Sequence, residues 1–173
     1  MCKFRGNMDL SDPGLLKLEP KDIPCECDVI IYTRFSIDLK SRLNIDKELI
    51  QQVVALKKPV ILDINHDLNY KYWVSVLKPN KQYNDTKVLR DFALAHNISG
   101  FIIGDAYPFY PKLQYDVNVG PNLQCYLSQL KGDSNLIIGL GIPSYGILLK
   151  GTCTFNFAEL NSIVDFYHVD SWG

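Results

Sequence analysis

The sequence predicts an α/β fold with a parallel sheet covered by helices, and three observations lead there. Short strand-type runs, apolar on both faces, alternate with helix-type segments about five times along the chain, the pattern of a sheet buried on both sides. The composition is 47% hydrophobic and 21% charged, which excludes wholesale disorder. The length of 173 residues suits a single domain, so residues 1–173 are expected to form one unit.

The elements follow in order. Asp28-Val29-Ile30-Ile31-Tyr32-Thr33-Arg34-Phe35 is β-branched and aromatic, a strand. Asp46 can cap a helix through Ala55, because Leu49, Ile50, Val53, Val54 and Leu56 recur at helical spacing. Pro59–Ile64 is a second buried-type strand. Tyr70–Leu77 fits a short helix. Asn84 or Asp85 is the expected cap of the next helix, whose inner face is Val88, Leu89, Phe92, Ala93 and Ala95. Gly100–Gly104 is a strand, Leu123–Leu130 a helix and Asn135–Leu140 a strand. Asn156 can cap a helix that includes Ala158, Leu160 and Ile163, and Val164–Val169 is the last strand. The longest irregular stretches are Asn7–Glu26 and Phe109–Asn118.

Charge narrows the function. Eighteen Lys and Arg against nineteen Asp and Glu give a net charge of -1, without the basic excess that a phosphate backbone requires. No basic run exceeds two residues, and no apolar run approaches the ~20 residues that span a bilayer. Neither nucleic acid nor membrane is therefore an expected partner. Cys25-Glu26-Cys27 is one residue short of a metal-binding Cys-x-x-Cys, and none of the three histidines lies near a cysteine pair, so neither a structural zinc nor any other cofactor is expected. The N-terminus lacks the apolar core of a signal peptide: the chain is cytosolic, or its signal has been removed. Asn84-Asp85-Thr86 and Asn97-Ile98-Ser99 are glycosylation acceptors if the chain is secreted, with Asn84 the expected site.

Three landmarks resemble one family. Cys2-Lys3-Phe4-Arg5-Gly6 followed by Cys27-Asp28-Val29-Ile30-Ile31-Tyr32 is similar to the opening of glycoside hydrolase family 18, the chitinases. Ser99-Gly100-Phe101-Ile102-Ile103-Gly104-Asp105-Ala106-Tyr107-Pro108 stands where that family has Asp-Gly-x-Asp-x-Asp-x-Glu-Tyr-Pro. Ile163–Val169, within Leu160–Gly173, resembles its sixth strand and the Met-x-Tyr-Asp ending. The resemblance implies an eight-stranded (β/α) barrel, which needs roughly 250 residues. This chain stops after the sixth strand, so an incomplete TIM-type barrel of about six parallel strands is expected, with edges that loops, rearranged strands, self-association or a second chain would cover.

The family reaction needs a glutamic acid to protonate the leaving oxygen while the substrate's acetamide attacks, oriented by a neighbouring aspartate. Here the acid position reads Ala106, the inner aspartate positions Ile102 and Gly104, and the outer one Ser99. The strand-six ending reads Asp170-Ser171-Trp172-Gly173, and the strand-three Ser-x-Gly-Gly reads Asp63-Ile64-Asn65-His66. A methyl group cannot donate a proton, so the resemblance implies a catalytically inactive, chitinase-like protein that binds a glycan or a protein partner. A one-residue slip would place Asp105 at the acid position, at the expense of the Tyr107-Pro108 match. Two other readings are therefore carried: an active hydrolase using Asp105 or a rearranged carboxylate site, and an assembly protein docking through its barrel edges.

In parallel barrels reactive groups gather at the carboxyl ends of the strands. Asp63, His66, Asp105 and Asp170 occupy such ends and could bind a divalent cation or run acid/base chemistry, or they are solvated strand-end residues. Tyr107, Phe109, Tyr110 and Tyr115 cluster after the fourth strand and Trp172 follows the sixth, rings on which sugar C–H faces could stack, or which simply cover core. Asp63, His66, Asp105, Tyr107, Asp170 and Trp172 are the candidate ligand-binding set. The family also implies a bridge between Cys2 and Cys27, for which Cys25 is an alternative partner; Cys125 and Cys153 could form a second. Bridges of this kind would place the protein outside the cytosol.

Overall fold

The computed structural model describes residues 1–5, 18–64, 70–104, 106, 116–143 and 156–170. Strand β1 (Cys2–Phe4) is followed by a 3-10 turn (Pro20–Asp22), β2 (Ile30–Ile37), β3 (Leu43–Asn44), α1 (Lys47–Val54), β4 (Val60–Ile64), α2 (Tyr70–Val76), α3 (Pro79–His96), β5 (Gly100–Ile103), α4 (Val119–Lys131), β6 (Ile137–Pro143), α5 (Phe157–Leu160) and β7 (Phe166–Asp170). Six strands pair in parallel in the order β1-β2-β4-β5-β6-β7, the succession of a barrel wall. They form a curled arc with helices between them, the incomplete TIM-type barrel that the sequence predicts. No helix among the described residues is long and apolar enough to cross a membrane.

The local chemistry explains most elements. Asp46 caps α1 by accepting the Leu49 N–H at 3.0 Å. Helix α3 ends on Asn97 in the left-handed region, φ 53°, and the Ile98 N–H returns to the Ala93 carbonyl. Two expectations, the start of α3 and the end of α5, need correction. Helix α3 starts at Pro79, not at Asn84 or Asp85: Pro79 takes a first-turn position that lacks an N–H partner anyway, and Lys78 before it is extended. Helix α5 stops at Leu160 and does not reach Ile163. Residues 38–42 turn the chain back into β3, which pairs antiparallel with the end of β2 through Ser36–Asn44 and Ile37–Leu43.

Alternation along the strands splits the apolar residues into two sets. Tyr32, Leu62, Phe101, Ile103 and Leu140 face the helices, where they meet Ile50, Trp73, Leu89, Leu123 and Leu127 in one large core. Ile31, Ile61 and Ile102 face the hollow of the arc, with Val29, Ile137 and Phe166 against them. Buried polar groups stitch the shell: the Gln82 amide on α3 donates to the Leu77 and Asn122 carbonyls, the second at 2.8 Å on α4. Asp165 binds the Ile138 N–H and the Lys131 ammonium, each at 2.8 Å, and so fixes where β6 and β7 begin.

Candidate functional site: the hollow at the carboxyl ends of the strands

The hollow is lined in rows set by register. Asp63 of β4 lies opposite Ile102 of β5, which lies opposite Gly139 of β6, which lies opposite Phe166 of β7. One step toward the carboxyl ends, Gly141 lies opposite His168. Gly104 follows β5 on the same side: a Cβ added to Gly141 would come 3.2 Å from the Gly104 Cα, and one added to Gly104 would meet the Asp63 Oδ1 at 3.4 Å. The two strands thus meet here through glycine backbone, Gly141 buried and Gly104 half-buried, with the half-buried Asp63 on one flank and the half-buried His168 registered on the other. Thr33 lies at the register shift between Tyr32 and Phe35 of β2, and its hydroxyl is buried without a hydrogen-bond partner.

The positions that resemble the chitinase motif can now be placed. Ile102 is fully buried and belongs to the apolar set of the hollow. Ala106 is also fully buried and packs with the helix-side core. Of the predicted ligand-binding residues, Asp63 stands at the mouth. Asp170 ends β7 opposite Pro143, but its side chain lies outside the described residues, as do His66, Asp105, Tyr107 and Trp172 entirely. Among the described residues, no three or more His, Cys, Asp or Glu stand together as a metal site would require. Gly139 and Gly141 were not singled out from sequence, although Gly139-Leu140-Gly141 carries the signal of period-two glycine on one face of a strand.

Cys2 and Cys27 form the disulfide that the family resemblance implies, with their Cα atoms 5.7 Å apart, tying β1 to the turn before β2. Cys25 and Cys125 are free and exposed. Asn84 is exposed on α3 and donates to the Ser41 Oγ at 3.0 Å.

No protein-family model and no curated protein matches the sequence. Solved structures do match the fold. The second catalytic domain of the Ostrinia furnacalis group II chitinase, solved in complex with a chitin oligosaccharide, is similar at a TM-score of 0.81 and 15% identity, over 99% of this chain and 49% of that one. Human YKL-39, described as a pseudo-chitinase with retained chitooligosaccharide binding, is similar at a TM-score of 0.73 and 19% identity, over 96% of this chain and 49% of that one. An immunomodulatory active chitinase from Trichuris suis is similar at a TM-score of 0.79 and 14% identity, over 97% of this chain and 49% of that one. Active and inactive proteins thus share this architecture, and the chain spans about half the length of each structure it matches. The six parallel strands of this chain carry the barrel fold of the chitinases over about half of its length.

Proposed function

We propose that this is a non-catalytic, chitinase-like protein whose hollow binds an N-acetylglucosamine oligomer. One observation carries the reading: Ala106, where the resemblance puts the proton donor, is a fully buried methyl group within an apolar cluster. Ile102 and Gly104, at the acetamide-orienting positions, supply no carboxylate either. General-acid catalysis contributes about 10²–10⁴-fold, and a site without the acid has no route to it. Binding needs less. The half-buried Gly104 leaves backbone rather than a side chain beside the half-buried Asp63, whose carboxylate can accept hydrogen bonds from sugar hydroxyls. Retained oligosaccharide binding by the pseudo-chitinase of the same fold supports this.

The Cys2–Cys27 bridge supports an oxidising, extracellular setting, where Asn84 would be a glycan acceptor. The test is calorimetric titration with chitotetraose and chitohexaose, paired with chromatographic assay of product after prolonged incubation. Binding without product, weakened by Asp63→Ala, is the expected result. Product release would establish the hydrolase alternative, and absence of binding to either oligomer would remove the glycan reading.

A further inference from the structure

A third cysteine stands beside the bridge that ties β1 to the sheet. Pro24-Cys25-Glu26-Cys27 is a tight turn, closed by the Cys27 N–H on the Pro24 carbonyl at 3.2 Å. Two residues of chain cannot separate Cys25 from Cys27 by more than about 7 Å between Cα atoms. Cys27 itself lies 5.7 Å from Cys2, within the window that disulfides occupy. Access differs sharply between the three sulfurs: Cys25 is exposed, Cys2 half-buried, and Cys27 only 2% exposed. The turn is also anchored, since the Lys58 ammonium donates to the Cys25 carbonyl at 2.7 Å.

We propose that Cys25 is the exchange thiol of the Cys2–Cys27 bridge, moving it reversibly to Cys2–Cys25. The Cys25 thiolate attacks the Cys2 sulfur, a Cys25–Cys2 bond forms, the Cys2–Cys27 bond breaks, and Cys27 leaves as a thiolate that takes up the proton Cys25 gave to base. Nothing is oxidised or reduced overall, so no external oxidant is required. Attack falls on Cys2 because it is the more accessible sulfur of the bridge. Both isomers keep the N-terminal loop closed, differing by two residues, so β1 stays tethered while the reactive thiol changes from an exposed to a shielded one. The device is a covalent switch in the reactivity of one surface thiol, independent of the glycan reading.

The whole protein would be held at pH 6 and pH 8 with a trace of reduced glutathione, quenched in acid and alkylated. Non-reducing digestion and mass spectrometry then map the bridges. The expected result is a Cys2–Cys25 linked peptide with alkylated Cys27, more abundant at pH 8, absent in Cys25→Ser and unchanged in Cys125→Ser. Cys27→Ser, treated with oxidised glutathione, which takes up the two electrons and leaves as two thiols, should form the Cys2–Cys25 bridge. If the wild-type chain yields only Cys2–Cys27 with Cys25 fully alkylated at both pH values, the proposal fails, whatever the variants do. A Cys25–Cys27 bridge with free Cys2 would also overturn it.

Discussion

Gly100 is the sharpest test of the packing between β5 and β6. A Cβ at this position would lie 2.0 Å from the Ile137 carbonyl oxygen and 2.8 Å from the Ile137 Cβ. The first contact is more than an ångström too short and involves backbone, which cannot swing aside as a flexible side chain would. Gly100→Ala therefore has to push β6 away from β5 at the row Ile61–Gly100–Ile137. Overpacking of this kind costs about 1–3 kcal/mol and sometimes more, against a gain of about 0.4–1 kcal/mol from a stiffer unfolded chain. The clash lies at the severe end, so a net loss of about 3 kcal/mol is expected, or roughly 6–12 °C in Tm for a domain of this size. Gly104→Ala is the internal control: its nearest contacts would be 3.4 Å, ordinary van der Waals distance, and the expected change is within about 0.5 kcal/mol. Urea unfolding followed by tryptophan fluorescence measures both. Wild-type stability in Gly100→Ala, or a larger loss in Gly104→Ala, would refute the strand spacing on which the hollow is built.

Two further outcomes are expected. Asp46→Ala removes the cap of α1 and should cost about 1 kcal/mol in the same assay, most of it restored by Asp46→Ser. Asp85 is 3% exposed, and burial raises its carboxyl above the ordinary 3.8, with Asp38 adding to the rise while the Ser41 hydroxyl and Lys81 oppose it. Folding thus favours its protonated form, and the penalty appears as pH climbs through 3.8 and is complete above the raised value. Asp85→Asn, which keeps an acceptor for Ser41, should be more stable than wild type at pH 7, with the gap closing toward pH 3. Unfolding midpoints across that range check it, and a gap that widens on acidification would contradict the assignment.

What the sequence disclosed depended on whether the cue was local. The strands β4, β5 and β6 and the cap at Asp46 announce themselves through apolar runs, glycine and a short polar side chain. The start of α3 misled because Asn84 and Asp85 look like caps, whereas Asp85 is buried inside the helix and its carboxylate accepts from the Ser41 hydroxyl. That partner is 44 residues away and leaves no trace in the local pattern. The β2–β3 hairpin was missed for a similar reason: the Asp38 carboxylate gathers the Lys40 and Arg42 N–H groups into a turn, a geometry that composition does not display. At the mouth, Ile102, Gly104 and Ala106 were legible as residue types, but the meeting of Gly104 with Gly141 was not, because it exists only when β5 and β6 lie side by side.

The division of the apolar residues between two faces has an evolutionary consequence. Among the described residues, most of the packing lies between the wall and its helices, while the inward side of the arc contributes a small patch around Ile31, Ile61 and Ile102. Replacements toward the open end of that inward side disturb little of what holds the domain together. A lineage built this way can exchange a reaction for a grip, or one grip for another, by altering a few inward positions while its folding machinery stays constant.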